Sequence, residues 1–479
     1  MSSPESEDSK STPLETAPFL PGKPASREWK LPYLRYLIAV LGTFSCALAI
    51  SCSFAYNFAV VCNVNGSVDT ETIYNEDPSN SRVMHFPSAT ASIIYGMYPI
   101  GNISALFLMM LLAPKISMRN QVLVGTAIST LCTALIPMLY DQWPNSTLIL
   151  KLIQGAAAAP TVPLIGHIAA HWTPFAEVGF IVAILSSYSQ LGIFITMSLS
   201  GVMCTNFGWR SIFYFNAGCS GLVVVAWALL FRDRPGDHPL IADGEYQTIR
   251  EHEAQEEQKK RARVPYRQFF SSLSVWAVLI AAIGNYNGIS PLIVFGASVL
   301  KKAVGLSDIE TSNYNGTSFA LQLVFKLLSG RISDKWNISE SFKTRFFNSI
   351  SCGLCGVLMI FTAFLPVSDK VLCAVFITIT QAIIGFNSAG FNKAAMIVTK
   401  QHAHYIVTII GVIICASTIA EPFVIWRVAP ESTWDQWFWL FIAHGGILIV
   451  SNIFFCIFIT AAPADFTKQT SSNSLQSAN

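Results

Sequence analysis

Apolar residues recur along this chain in long, nearly uncharged blocks, with neither the one-sided stripe of a surface helix nor the alternation of a half-buried strand. Six blocks come first, near residues 33–62, 88–113, 121–140, 147–170, 178–204 and 211–231. A polar stretch from 232 to 272 interrupts them, carrying Arg232, Arg234, the acid-rich run Glu251 to Glu257, then Lys259, Lys260, Arg261 and Arg263. Six more blocks lie near 273–297, 314–333, 346–366, 371–396, 405–427 and 436–461. Each approaches the roughly 20 residues that a helix needs to cross a hydrocarbon core, and a helix satisfies its own backbone there. The pattern predicts an all-α polytopic membrane protein of twelve transmembrane helices. Its expected parts are a disordered tail over 1–31, six-helix halves over 32–231 and 273–461, a central loop over 232–272 and a second tail over 462–479.

Composition sharpens this reading. Apolar residues make up 52% of the 479 and charged residues 12%, about half the charged share of a soluble domain. A soluble enzyme, a secreted disulfide scaffold and a bitopic receptor are excluded, and a net charge of +2 is too small to recruit nucleic acid. Of the eleven cysteines nearly all fall inside apolar blocks, as Cys46, Cys52, Cys132, Cys352 and Cys456 do, where a thiol acts as a small hydrophobe. No CxxC pair has a matching His or Cys set, so no metal site is expected. No Walker-type loop is present either, which argues against direct ATP drive. No catalytic residues and no cofactor are expected.

Placed on this topology, the cations have a side. With a cytosolic N-terminus, about 20 of the 30 basic residues face the cytosol, and Arg82, Arg210, Lys301, Lys302, Lys370 and Arg427 face away. The positive-inside rule then puts both tails and the central loop in the cytosol. The glycosylation sequons at Asn65, Asn145 and Asn315 fall on the opposite side, whereas those at Asn102 and Asn337 do not.

Six spans, a charged loop and six more spans imply two repeated halves with a substrate path between them. The loop after the second span, Pro114 to Arg119, is echoed after the eighth by Gly330-Arg331-Ile332-Ser333-Asp334-Lys335. There Gly330 is expected to allow close helix approach, and Asp334 to cap a helix N-terminus and pair with a nearby Arg. This turn resembles the conformational latch of the major facilitator superfamily, formed here by Gly330, Arg331, Asp334 and Lys335. The first copy lacks the acid.

Further segments narrow the resemblance. They are Gln154-Gly155 with Pro163; His171-Trp172-Thr173-Pro174 with Glu177; and Gly208 to Tyr214. To these are added Asp237-His238-Pro239-Leu240-Ile241 with Glu245, Val275-Trp276-Ala277, and Gly385-Phe386-Asn387. Together they resemble the anion/cation symporter family, which includes sodium/phosphate cotransporters, sialin and vesicular glutamate transporters. The resemblance implies an anion bound by basic residues in a central cavity and moved with a sodium ion or proton. It places Lys151 at the family's span-four arginine. Three departures accompany it: Ala55-Tyr56-Asn57 lacks the span-one arginine, Ala158 replaces the span-four acid, and Asn285 replaces the span-seven arginine of the glutamate-transporting branch.

Ionisable groups inside the spans are few: Lys151, His167, Lys326, Lys393, Glu421 and His444. Each costs about 2.5–3.5 kcal/mol at the centre of a bilayer on insertion scales, so each needs a reason. Lys151 has two readings, an anion contact or a side chain that snorkels to the surface. Glu421, just before Pro422, is a candidate proton- or ion-coupling group or a wet, paired side chain. Lys326 and Lys393 read as local or snorkelling, and His167 and His444 as packing residues. Asn57, Tyr95, Asn285 and Asn387 are candidate substrate-binding groups, together with Tyr98, Gln190 and Tyr286, interhelical hydrogen bonding being the alternative for each. Gly192, Gly201, Gly411 and Gly446 are expected to let helices pack closely.

These residues point to a secondary active transporter of a small organic or inorganic anion, working in the bilayer as a monomer by alternating access. A non-transporting solute sensor and an anion-conducting channel on the same fold are the alternatives. Glu15 to Leu20 resembles an acidic dileucine sorting signal, so the expected membrane is the plasma membrane or that of lysosomes or endosomes.

Overall fold

The structure, a computed structural model, describes residues 33–62, 84, 86–112, 116–174, 177–249, 266–464 and 467. The sorting-like segment, Asn65 and residues 250–265 of the central loop lie outside these residues. The first half comprises α1 (Leu34–Ala59), α2 (Ser88–Leu112), α3 (Met118–Leu139), α4 (Ser146–Ala157), α5 (Thr161–His171), α6 (Val178–Leu185), α7 (Tyr188–Phe207) and α8 (Trp209–Leu230). After a short helix α9 (243–249) come α10 (Tyr266–Ser271), α11 (Leu273–Ser298), α12 (Asp308–Lys335), α13 (Glu340–Asn348) and α14 (Cys355–Ala363). The chain ends with α15 (Lys370–Ile383), α16 (Phe391–Thr399), α17 (Ala403–Val428) and α18 (Trp434–Phe458).

Four apolar blocks are crossed by broken rather than continuous helices, each for a local reason. Pro160 lacks the N–H that would join α4 to α5, and α6 meets α7 through a turn at Ser186 and Ser187. A π-turn over Ser349–Leu354 joins α13 to α14. A 3₁₀ turn over Ile384–Ser388 joins α15 to α16. With each pair counted as one crossing, the expected twelve spans are present.

Ten helical stretches among the described residues are long and apolar enough to cross a bilayer. α2 and α12 are not among them; α12 carries Asn315, Gln322 and Lys326 along its length. It is clamped between α7 and α15, so these side chains meet protein rather than lipid. It also begins six residues before the block at 314–333 that the apolar pattern marks. Ser307 and Glu310 form a capping box: Ser307 Oγ accepts from the Glu310 amide at 3.3 Å, and the Glu310 carboxylate accepts from the Ser307 amide at 2.9 Å. That cap starts the helix in polar sequence.

Within the first half α1 packs on α7 and α8, and α2 on α4; within the second, α11 packs on α18 and α17, and α14 on α18. The halves meet along α7–α12 and α2–α17. Calling the end where α1 begins near and the end where it finishes far, the links across the halves gather toward the far end. Ser312 Oγ donates to Met197 O at 2.5 Å and accepts from the Gly201 amide at 3.0 Å. Glycine is required here: a Cβ on Gly201 would lie 2.4 Å from Ser312 Cβ, and one on Gly316 2.3 Å from Ser198 Oγ. Gly192 is similarly pressed against Ala47, but Gly330, Gly411 and Gly446 have nothing within 4 Å of an added Cβ. The close packing expected at those three is therefore absent. Toward the near end, Lys326 Nζ of α12 donates to Ser186 O at 2.5 Å and lies 3.4 Å from Gln190 Oε1. It joins the two halves rather than snorkelling.

At the far end a disulfide joins Cys62, just past α1, to Cys204 on α7, with 5.8 Å between their Cα atoms. The other cysteines described are free, as expected of thiols in apolar blocks. These two depart from that expectation because packing brings together sites 142 residues apart.

Two of the segments that carry the family resemblance, His171–Pro174 with Glu177 and Asp237–Ile241 with Glu245, meet at the near end. Arg35 is paired with Glu177 at 2.8 Å and with Glu245 at 2.9 Å. Glu245 also accepts from the amides of Leu34 and Arg35, at 3.1 and 3.2 Å, and so caps α1. Trp172 is wholly buried, donates through Nε1 to Arg232 O at 3.1 Å, and meets the His238 ring edge-on. The Arg35 guanidinium holds the Glu177 carboxyl below its usual range. His238 is pushed the other way from a charged state, its pKa lowered by burial. These motifs thus tie the polar connection after α8 to the start of α1 and do not contact a central cavity.

The latch expected at residues 330–335 takes a different form. Asp334 sits in the last turn of α12 and caps no N-terminus; its partner is Lys393 of α16, at 3.2 Å, not an arginine. Lys393 also reaches Glu340 at 3.2 Å and Ser333 Oγ at 2.8 Å. The device joins α12, α13 and α16 within the second half.

Candidate functional site

Lys151 is the central cation of the first half. It lies on α4 and is 2% exposed, so the snorkelling alternative does not hold. Its Nζ donates to Ser53 O of α1 at 2.5 Å and stands 5.3 Å from the centroid of the Tyr56 ring. Among the described residues no carboxylate pairs with it. A buried ammonium held by one carbonyl and a ring face keeps two N–H donors for an acceptor, and in a low dielectric it attracts an anion far more strongly than in water.

Tyr56, which the apolar pattern conceals as one more core aromatic, extends this site. Its ring is wholly buried and its hydroxyl has no hydrogen-bond partner. Tyr95 of α2 packs edge-on against it at 5.0 Å and against Phe295 of α11 at 4.7 Å. A continuous run of Lys151, Tyr56, Tyr95 and Phe295 therefore links the cation of one half to the other half. Asn57 donates through Nδ2 to Val294 O of α11 at 3.1 Å. It bolts the halves together at the far end, so the interhelical alternative describes it better than a cavity lining.

In the second half the structure brings Asn285 and Asn387 together: Asn387 Nδ2 donates to Asn285 Oδ1 at 3.2 Å. Asn285 Nδ2 in turn approaches Cys352 Sγ at 3.3 Å and is wholly buried. Asn387 alone of the pair keeps partial exposure. Glu421 is buried on α17 beside His444 of α18, with 3.6 Å between Oε1 and Nε2. His444 was expected to be a packing residue; its contact with a carboxylate 23 positions earlier was not visible in the pattern. Lys151 and Glu421 stand in different halves and do not form a pair.

Of the sequon residues, Asn145 is exposed at the turn that opens α4. Asn315 is corrected: it is 1% exposed inside α12, with Nδ2 against Met197 Sδ at 3.4 Å, and the fold gives a glycosyl donor no access to it. No group of three or more His, Cys, Asp or Glu able to hold a metal occurs among the described residues.

A helical bundle of two six-span groups, in contact along α7–α12 and α2–α17, defines a membrane transporter. The family model of the Major Facilitator Superfamily matches residues 36–425, and the chain belongs to that superfamily, whose members are transporters and not enzymes. Within it the chain is similar to sialin of Homo sapiens, with 24% identity over 340 residues, 70% of this chain and 68% of that one. It is also similar to sodium-dependent phosphate transport protein 1 of Oryctolagus cuniculus, with 24% identity over 473 residues, 91% of this chain and 95% of that one. In fold it matches the inward open conformation of the xylose transporter XylE from E. coli, at TM-score 0.64 and 12% identity, over 91% of this chain and 99% of that one.

Proposed function

We propose that this protein is a secondary transporter of a small organic or inorganic anion, moved by alternating access with a coupled cation. The observation that carries the reading is Lys151, an ammonium buried in the bundle with a carbonyl and an aromatic face for company and, among the described residues, no carboxylate to neutralise it. Burying such a charge is costly unless a partner arrives, and an anionic solute is that partner. The phosphate in one relative's name agrees with the class of substrate. Lys presents a point charge rather than a bidentate fork, which favours a compact or variable anionic group over strict recognition of a planar one. Tyr56 and Tyr95 shape the site from one half, and Asn387, held by Asn285, offers an amide from the other. Contacts gathered at the far end and a thinner link at Lys326 describe a state open toward the near end.

The same reading orients the chain with both tails in the cytosol. The disulfide supports it, because Cys62–Cys204 lies at the far end and disulfides persist in oxidising compartments. Two far-side cations are also neutralised, Arg210 by Asp141 at 2.6 Å and Lys301 by Asp308 at 2.8 Å, which leaves the basic excess on the near side. A membrane-impermeant maleimide applied to intact cells after mild reduction should label Cys62 and Cys204 from outside. Labelling that requires cell permeabilisation reverses the orientation or places the protein in an internal membrane; the same reagent on sealed organelles of each sidedness distinguishes the two.

The direct test is reconstitution of the full chain in vesicles with a panel of labelled anions, inorganic phosphate, glutamate, urate and a carboxylated sugar, under imposed sodium, proton and voltage gradients. Saturable uptake of at least one is expected. Binding without flux marks a sensor, and an unsaturable current marks a channel.

A further inference from the structure

We propose that the Glu421–His444 pair is a proton-binding site of the second half, and that its proton is the coupling ion; the coupling role rests on the transport reading above, the binding chemistry does not. Pro291 lies inside α11. Proline has no N–H, so the carbonyl four residues earlier, on Asn287, loses the amide that a continuous helix would give it. His444 of α18 supplies the missing donor, with Nδ1 2.8 Å from Asn287 O. A carbonyl only accepts, so Nδ1 carries the hydrogen and the neutral ring has a bare Nε2.

That nitrogen faces Glu421 Oε1 at 3.6 Å, where the two side chains are 8% and 3% exposed. Oε1 has no hydrogen-bond partner of its own. A bare lone pair facing a bare carboxylate in a dry site is repulsive, and one shared proton removes the conflict. It resides either on Nε2, as imidazolium beside carboxylate, or on the carboxyl, as a neutral acid beside a neutral ring. The separation exceeds hydrogen-bond reach, so a small movement of α17 toward α18 makes the bond and the reverse movement releases it. Pro422, next to Glu421, interrupts the hydrogen-bond ladder of α17 and gives it a place to bend.

Among the described residues, no other charged group pairs with either member. Neither α2, α11 nor α14 contains any Asp, Glu, Lys, Arg or His. Their phenols point elsewhere: Tyr286 of α11 meets Phe391, and Tyr95 of α2 meets Tyr56 and Phe295, leaving Tyr98 of α2. On α17 the others are His404 and Tyr405 at its start and Arg427 near its end, and on α18 Asp435 in its first turn. Lys301 and Lys302 close α11, the former held by Asp308. On α16 Lys393 is held by Asp334 and Glu340; on α13 Lys343 is held by Glu340, and Arg345 donates to Ile459 O. Of the nearby thiols, Cys355 donates to Thr380 O, Cys352 lies against Asn285, Cys415 approaches Asn102, and Cys456 approaches Asn452.

The site also sits where a proton can act on the halves. α17 packs on α2, and Phe423, two residues after Glu421, lies against Gly96, 3.7 Å from where its Cβ would be. The step is a proton transfer alone: a proton from water at one face binds Oε1 or Nε2 and leaves to water at the other.

The test uses the full-length protein in vesicles and counts protons taken up on an acid jump with a pH-sensitive dye. Glu421→Gln should take up about one proton fewer per chain than wild type. His444→Gln should shift the midpoint of that uptake, and so should Pro291→Ala, which returns an amide to Asn287 and frees His444 without altering either titrating group. Equal uptake by wild type and Glu421→Gln overturns the proposal. So does a lost proton in Glu421→Gln with unshifted midpoints in both other variants, since Glu421 then acts without His444. With the labelled panel, an inward proton gradient should accelerate wild-type uptake and leave Glu421→Gln uptake unchanged; acceleration persisting in the variant also overturns it. Normal proton binding with no anion moved by any member of the panel counts against the transport reading alone.

Discussion

Gly201→Leu and Gly316→Leu should each cut uptake by about tenfold or more while the protein reaches the membrane in normal amount. At both positions α7 and α12 approach until only hydrogen fits: the added Cβ atoms would lie 2.4 Å from Ser312 Cβ and 2.3 Å from Ser198 Oγ. Backbone stands behind each contact, Asp308 O at 2.6 Å from the first and Ser198 N at 3.1 Å from the second, so rotating a side chain away does not relieve the clash. Overpacking costs about 1–3 kcal/mol, and here the state closed at the far end bears all of it. The conformational balance should move toward the far-open state by about 5- to 150-fold. A cysteine introduced at Phe295, which lies at the closed junction against Tyr95, should become reactive to an impermeant maleimide from the far face in either glycine variant. Unchanged reactivity and unchanged uptake would mean that the α7–α12 seam does not open during transport.

Lys151→Ala should weaken apparent anion affinity by on the order of 10- to 100-fold, the worth of a hydrogen-bonded charge, and uptake at low substrate should disappear. Lys151→Arg keeps the charge but is broader than the ammonium that Ser53 O and the Tyr56 face hold, so it should retain a fraction of the flux. Loss in both with normal folding points to a demand for a compact ammonium. Tyr56→Phe distinguishes a role in packing from one in binding, because only the unpartnered hydroxyl is removed; it should raise the substrate concentration needed for half-maximal uptake without lowering the amount of folded protein.

The reason Lys151 was legible in the sequence is that a lone cation in an apolar block has no innocent explanation beyond snorkelling, which the 2% exposure removes. Tyr56 was hidden by the same pattern, since a buried aromatic beside it looks like any other core ring. His444 and Glu421 belong to consecutive spans, and hydrophobic periodicity within a span says nothing about which residues two spans bring together. The clue lay in Pro291, whose missing N–H leaves Asn287 O in need of a donor, but it becomes useful only when α18 is seen beside α11. Cys62 and Cys204 pair across four intervening crossings for the same reason. The early start of α12 was readable from the Ser307–Glu310 capping box, yet a search for apolar blocks passes over polar starts. Gly330 and Asp334 show the converse: a motif correctly resembling a superfamily turn served a different local contact, because Lys393 rather than an arginine occupies the neighbouring helix.

Transport by exchange through one site makes a direct prediction for counterflow. In vesicles loaded with an unlabelled anion from the panel and diluted into the labelled form, wild-type protein should show a transient, saturable accumulation of label with no imposed gradient of sodium, proton or voltage, and Lys151→Ala should show none. An identical overshoot in Lys151→Ala, or a wild-type flux that rises in proportion to concentration without saturating, would contradict it.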